Sequence, residues 1–215
     1  YLQVTGREIK SGRDPDVYVK TLEPLVFHVP PHVSKDVYRP SDEFFYDAVF
    51  LGSVDELKHK LRWDIYKGLE RFGREGAWRV LVGKPPSGPM VDLEEGWRER
   101  GFIVGDDYVR VLARSRAMLF GSSKWRYMVR KYFEGMACRT LVMADSPRSA
   151  DLVHFKPGWN FVEIDRGNWR EKLEYYLTHE EERLEIAQRG YETYLRYHTS
   201  AVRARDLVAF LEENK

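Results

Sequence analysis

Lys131 and Glu134 stand three residues apart in the stretch KYFEGMACRTLVMAD, residues 131–145. On a helix that spacing puts both side chains on one face. A lysine there can neutralise a phosphate. A carboxylate there can accept hydrogen bonds from two neighbouring hydroxyls, the pair that a ribose presents. Phosphate and ribose together mean a nucleotide. The same residues could also form an exposed i,i+3 ion pair worth roughly a few tenths of a kcal/mol, and their pattern alone favours that plainer alternative slightly. The preceding Gly121-Ser122-Ser123 loop follows an apolar run. The helix after it is expected to offer unpaired N–H groups and a positive dipole end to an anion.

The elements that position these residues alternate in type. Val129, Phe133, Met136 and Ala137 recur at the spacing of a helix stripe, and TLVMAD then reads as a short buried strand ending on Asp145. Upstream, DAVFLG (47–52) is a strand closed by Gly52. A helix follows with Leu57, Leu61, Ile65 and Leu69 spaced by four, then Phe72 and the stop signal Gly73. WRVLVG (78–83), GFIVG (101–105), AMLFGSS (117–123) and NFVEID (160–165) read as further strands, with a helix over DDYVRVLARS between the second and third of these. KPPSGP breaks the chain after Gly83, and helices are predicted over 169–177, 181–197 and 201–213. In the 181–197 helix, Leu184, Ala187, Tyr191, Tyr194 and Leu195 share one side. Strand–helix alternation predicts an α/β fold, a doubly wound Rossmann-like parallel sheet with C-terminal helices. Residues 1–45, with turn signals and a possible strand at 25–28, read as a linker or the end of a preceding domain. Residues 46–198 read as the Rossmann-like domain and 199–215 as a last helix. Ligands of such sheets sit beyond the carboxyl ends of the strands, so the loops starting at Gly52, Gly83, Gly105, Gly121 and Asp145 matter most.

Composition narrows the classes. The 215 residues carry 35 basic and 34 acidic side chains, a net charge of +1, which makes no general electrostatic case for nucleic acid or an anionic membrane. The one cysteine, Cys138, allows no internal disulfide and points to a reducing, cytoplasmic location. No stretch reads as a membrane span. The dinucleotide fingerprint is missing after every predicted strand, and VLVGKPPSG fails the spacing of a phosphate loop. Asp14-Pro15-Asp16 matches a short metal-binding motif of some sugar transferases, yet its charged, proline-broken setting suits a solvated turn. His28 and His32 lack further ligands, so no metal site is expected, and no nucleophile elbow is present.

Five segments in order, FHVPPHVSKDVYRP, YDAVFLGS, YVRVLARSRAMLFGSS, RKYFEGMAC and EERLEIAQRGYETYLRYHT, resemble the C-terminal half of a GT-B glycosyltransferase, and most nearly the branch of spore-maturation glycosyltransferase-like proteins. The resemblance covers about residues 26–213. It implies that this domain binds a nucleotide-diphosphate sugar as donor and needs no other cofactor or metal. It implies, too, that an N-terminal acceptor domain in the same or another chain completes the enzyme, and that 199–215 is a crossing helix. By the same resemblance Glu134 holds the ribose and Lys131 is the basic residue just before it. Gly52 and Ser53 lie near the phosphates and sugar, as does the Gly121-Ser122 loop, and Arg62 sits where a phosphate ligand is expected. The 104–108 loop with Tyr108 lies where the base is seated. Two departures stand out. Arg126 occupies the place of a second glutamate found in many retaining members, and Arg139 that of a glycine which ends the helix in a left-handed turn. Alternatives are a non-catalytic Rossmann-like module, which both departures favour, and a nucleotide-sugar epimerase.

Overall fold

The computed structural model describes residues 2–3, 26–27, 29–83 and 94–213. The Asp14-Pro15-Asp16 motif, His28 and the KPPSGP break lie outside them. Strands β1 (Leu2–Gln3) and β2 (Val26–Phe27) pair antiparallel; β2 falls inside the expected 25–28 stretch, and β1 lies outside any predicted strand. The main sheet comprises β3 (Tyr46–Phe50), β4 (Val80–Val82), β5 (Ser115–Leu119), β6 (Leu141–Ala144) and β7 (Val162–Glu163). All neighbours pair parallel in the order β4-β3-β5-β6-β7. Helices α1 (Lys60–Gly76), α2 (Glu94–Glu99), α3 (Gly105–Ala113), α4 (Lys131–Ala137), α5 (Trp169–Thr178), α6 (Glu180–Tyr197) and α7 (Ser200–Glu213) complete it. No helix among the described residues is long and apolar enough to cross a membrane.

Strand side chains alternate between two cores, which is why the strands read as continuous apolar runs. Ala48, Phe50, Ala117, Leu119, Leu141 and Met143 face Ile65 and Leu69 of α1 and Trp169 and Leu173 of α5. Val49, Met118, Phe120 and Val142 face Phe133 of α4 and Tyr194 of α6. Helices thus cover both faces. The order reverses between β3 and β5, and a crevice at such a switch point is where ligands bind.

Several expectations change. GFIVG is not a strand: Gly105 opens α3, and Phe102 packs edge-on to Trp97 at 5.1 Å instead of pairing. Leu57 precedes α1 and is 80% exposed, so the stripe begins at Leu61, which packs against the core, and runs through Ile65, Leu69 and Phe72. On α6 the buried face is Arg183, Ile186, Ala187, Gly190 and Tyr194, while Leu184 and Leu195 are exposed. Val33 and Tyr38 belong to the core, and the Tyr194 hydroxyl donates to the Val33 carbonyl at 3.1 Å. Arg139 keeps the left-handed turn (φ 54°) that a glycine would adopt, at a cost of about 1 kcal/mol. Its guanidinium donates to Asp42 at 2.6 Å.

Candidate functional site

Two cavities open beyond the carboxyl ends of the strands. One, of about 380 Å³, is bounded by Leu51-Gly52 after β3, Gly83 after β4, the 102–105 turn and Tyr108, Arg130, Lys131 and Glu134. The other, of about 450 Å³, is bounded by residues 58–61, the Gly121–Lys124 loop after β5, Asp145 after β6 and the turn after β7. Gly52, Tyr108, Lys131 and Glu134 are therefore brought together in the first, whereas Gly121 and Ser122 line the second.

Glu134 is only 7% exposed although it lines the first cavity. A buried carboxylate needs partners, and three converge. Tyr38 Oη donates to Oε1 at 3.2 Å, Tyr108 Oη donates to Oε2 at 2.5 Å, and Arg130 Nε pairs with Oε1 at 3.1 Å. The ion pair is thus the i,i+4 one to Arg130, not an exposed one to Lys131. Burial and then the Glu134 charge push the Tyr38 hydroxyl up to about 12, and the same causes raise Tyr108 well above its ordinary value. Both phenols stay protonated and remain donors.

Lys131 Nζ donates to the Tyr108 hydroxyl at 3.2 Å, so one phenol links the ammonium to the carboxylate. Burial, reinforced by Arg62 and opposed by Glu134, pulls the lysine from 10.5 down to about 8. Its chain lies across Gly52, where an added Cβ would meet Lys131 Cε at 2.9 Å. At φ 143° that backbone suits only glycine.

Arg62 is buried between the loops. Its Nε donates to the Gly121 carbonyl and its Nη1 to the Ser53 carbonyl at 3.4 Å. It bridges the turns after β3 and β5 and lines neither cavity directly. Ser122 is clasped: its N–H and its hydroxyl both donate to the Asp145 carboxylate at 2.6 Å. Asp145→Ala should cost about 2 kcal/mol through these two charge-assisted bonds. Urea unfolding measures the loss, and an unshifted midpoint would show that the loop holds without the clasp. Of the N–H groups at the helix start, those of Tyr132, Phe133 and Glu134 bond back to the Val129 and Arg130 carbonyls. Arg126, left-handed at φ 54°, donates to the Ser146 carbonyl at 2.8 Å and to Glu163 at 3.2 Å. Among the described residues no group of three His, Cys, Asp or Glu side chains could hold a metal ion. Sequence reasoning missed Tyr38, which lies 96 residues before its carboxylate partner and carries no local signal.

A parallel sheet covered by helices on both faces, with its order reversing between β3 and β5, defines a Rossmann-like α/β domain. The sequence model of the glycosyl transferase-like family matches residues 68–209, and the chain belongs to that family. Comparison with curated proteins finds no match. Among solved structures, the chain is similar to the C-terminal domain of the group 1 glycosyl transferase LpcC from Francisella tularensis. The TM-score is 0.52 at 13% identity, over 78% of this chain and 98% of that domain. It is similar to sucrose-phosphate synthase from Thermosynechococcus elongatus (TM-score 0.63, 13% identity, 92% of this chain and 55% of that one). Anabaena HepE, solved in complex with UDP-glucose, is matched at TM-score 0.56 and 11% identity, over 84% and 55%. The fold is that of a GT-B C-terminal domain, and the chain spans just over half the length of these two longer proteins.

Proposed function

We propose that this chain is the donor-binding half of a metal-independent glycosyltransferase whose donor is a nucleoside diphosphate sugar. The observation that carries the reading is the buried Glu134 carboxylate, presented at the sheet's switch point to a cavity of about 380 Å³. Oε2 accepts a single hydrogen bond among the described residues and retains capacity for a ribose hydroxyl. The apolar wall of Phe102, Ile103 and Val104 beside Tyr108 suits a base. Lys131 and the Gly52-Ser53 turn take the diphosphate. The departing diphosphate gains negative charge, which a fixed ammonium stabilises in a water-poor site. Arg62 contributes its charge from behind the two loops, and Gly121 and Ser122 shape the sugar end. A partner acceptor domain supplies the rest of the reaction. The HepE complex with UDP-glucose supports this choice of donor class, and the buried lone Cys138, its thiol pushed up to about 12 by burial, suits a reducing cytoplasm.

A thermal-shift screen against UDP, GDP, ADP and dTDP tests the reading. One of them is expected to raise Tm increasingly with concentration. No shift with any would sink it. A non-catalytic module is the second reading, favoured by the engagement of Arg126 with Glu163 and Ser146. Binding without sugar transfer, once the acceptor half is supplied, would select it.

Lys131 gives this site a pH signature. Its ammonium is present below about 8 and lost above it, so diphosphate affinity should fall as pH rises from 7 to 9. Lys131→Met should bind more weakly and lose that slope. Calorimetry across the range decides, and parallel profiles for the two proteins would remove the lysine from the site.

A further inference from the structure

The second cavity has a composition that the nucleotide reading does not use. Lys58, Lys60, Lys124, Arg126, Arg166 and Lys172 line it, against the carboxylates of Asp145, Glu163 and Asp165. Those carboxylates are already committed, and so are Lys58 to Asp55, Arg166 to Asp64 and Arg126 to Glu163, while Lys172 donates to the Glu163 carbonyl; among the described residues the uncommitted charge lies on Lys60 and Lys124. Asp145 clasps Ser122, Glu163 accepts from Arg126 and the Ser146 N–H, and Asp165 accepts the N–H groups of Gly167 and Asn168. Lys60 and Lys124 are exposed and have no carboxylate partner among the described residues. Lys124 rests its ammonium over the Trp125 ring at 4.7 Å. His59 lines the same cavity, and its buried Nδ1 has no hydrogen-bond partner. An excess of cations around a concave space of about 450 Å³ raises the local concentration of anions and favours an anionic occupant. Gly121 lines this cavity, and the Arg62 bridge joins its loop to the Gly52-Ser53 turn of the first.

We propose that this cavity receives an anionic group, a carboxylate or a phosphate, carried on a sugar substrate. That the carrier is a sugar rests on the function proposed above; that the group is an anion rests on the lining. Arg126 and Lys124 are the side chains best placed to contact it, since both sit on the loop that follows β5 and leave part of their surface exposed.

Calorimetric titration with glucose 6-phosphate, glucuronate, inorganic phosphate and glucose at low ionic strength tests it. At least one anionic sugar should bind about tenfold or more tighter than glucose, and Lys124→Met/Arg126→Met should abolish that preference. Because Arg126 also ties Glu163, the variant Lys60→Met/Lys124→Met, altered only at exposed unpaired positions, should reduce the preference without disturbing the fold. Tighter binding of glucuronate assigns a carboxylate and of glucose 6-phosphate a phosphate; either supports the proposal. Equal affinities for glucose and both anionic sugars overturn it, as does a preference unchanged in both variants. Inorganic phosphate binding as tightly as glucose 6-phosphate overturns the assignment to a sugar. The nucleotide reading is judged separately. A protein that binds a nucleoside diphosphate but ignores the anionic sugars keeps that reading and loses this one. A protein with the opposite behaviour loses the nucleotide and keeps the anion.

Discussion

Replacing Glu134 by alanine is expected to raise the dissociation constant for the preferred nucleoside diphosphate ten- to a hundredfold, about 1–3 kcal/mol. The size follows from what the carboxylate does. It holds two tyrosine hydroxyls and a guanidinium, and Tyr108 in turn receives the Lys131 ammonium. Removing it deletes the ribose acceptor and releases the phenol that positions the phosphate ligand. Glu134→Gln keeps the volume and one acceptor oxygen, so it should fall between the wild type and alanine. Tyr108→Phe should keep the carboxylate but loosen Lys131, weakening UDP-type ligands more than the bare nucleoside. Calorimetry on the three variants, with unfolding midpoints alongside, separates binding from folding. An alanine variant with native affinity would remove Glu134 from the site altogether.

Acid should destabilise the fold through His198, by as much as about 5 kcal/mol. The imidazole is fully buried between the Phe133 and Phe155 rings. Its Nε2 meets the Val153 carbonyl at 2.9 Å, and its Nδ1 meets Arg203 at 2.6 Å. A carbonyl can only accept and a guanidinium can only donate, so the neutral ring with its proton on Nε2 is the form that fits. Burial first, then the Arg203 charge and a smaller effect of His154, pull the ring from 6.5 down to about 3. The unfolded chain takes up a proton near 6.5 and the folded one does not. The contribution is therefore complete above 6.5 and is lost progressively as pH falls toward 3. Urea unfolding at pH 7 and pH 4 measures it. His198→Gln, which retains a donor for Val153, should show a flatter dependence across that window. Equal slopes for the two proteins would assign the acid sensitivity to other groups.

Much of the scaffold was legible because both sheet faces are buried. Apolar runs such as DAVFL and TLVMA can be nothing else when Ala48 and Val49, or Leu141 and Val142, must each meet a different core. GFIVG carries the same composition and misled, since composition cannot say whether an apolar run pairs with a strand or walls a cavity. Glu134 was legible as a candidate, but its burial was not: its partners come from residues 38, 108 and 130, and only the fold gathers them. Three of the N–H groups at the start of its helix are used locally, because Arg130, already helical at φ −55°, lets the preceding turn accept them.

Arg62, expected beside a ligand's phosphates, grips the chain itself. One planar group holds the carbonyls of two turns that come from different strands, and its length is fixed. A shift of either turn alone therefore strains or breaks a bond to this one group. The two chambers at the sheet's edge share a single tie, buried between their walls.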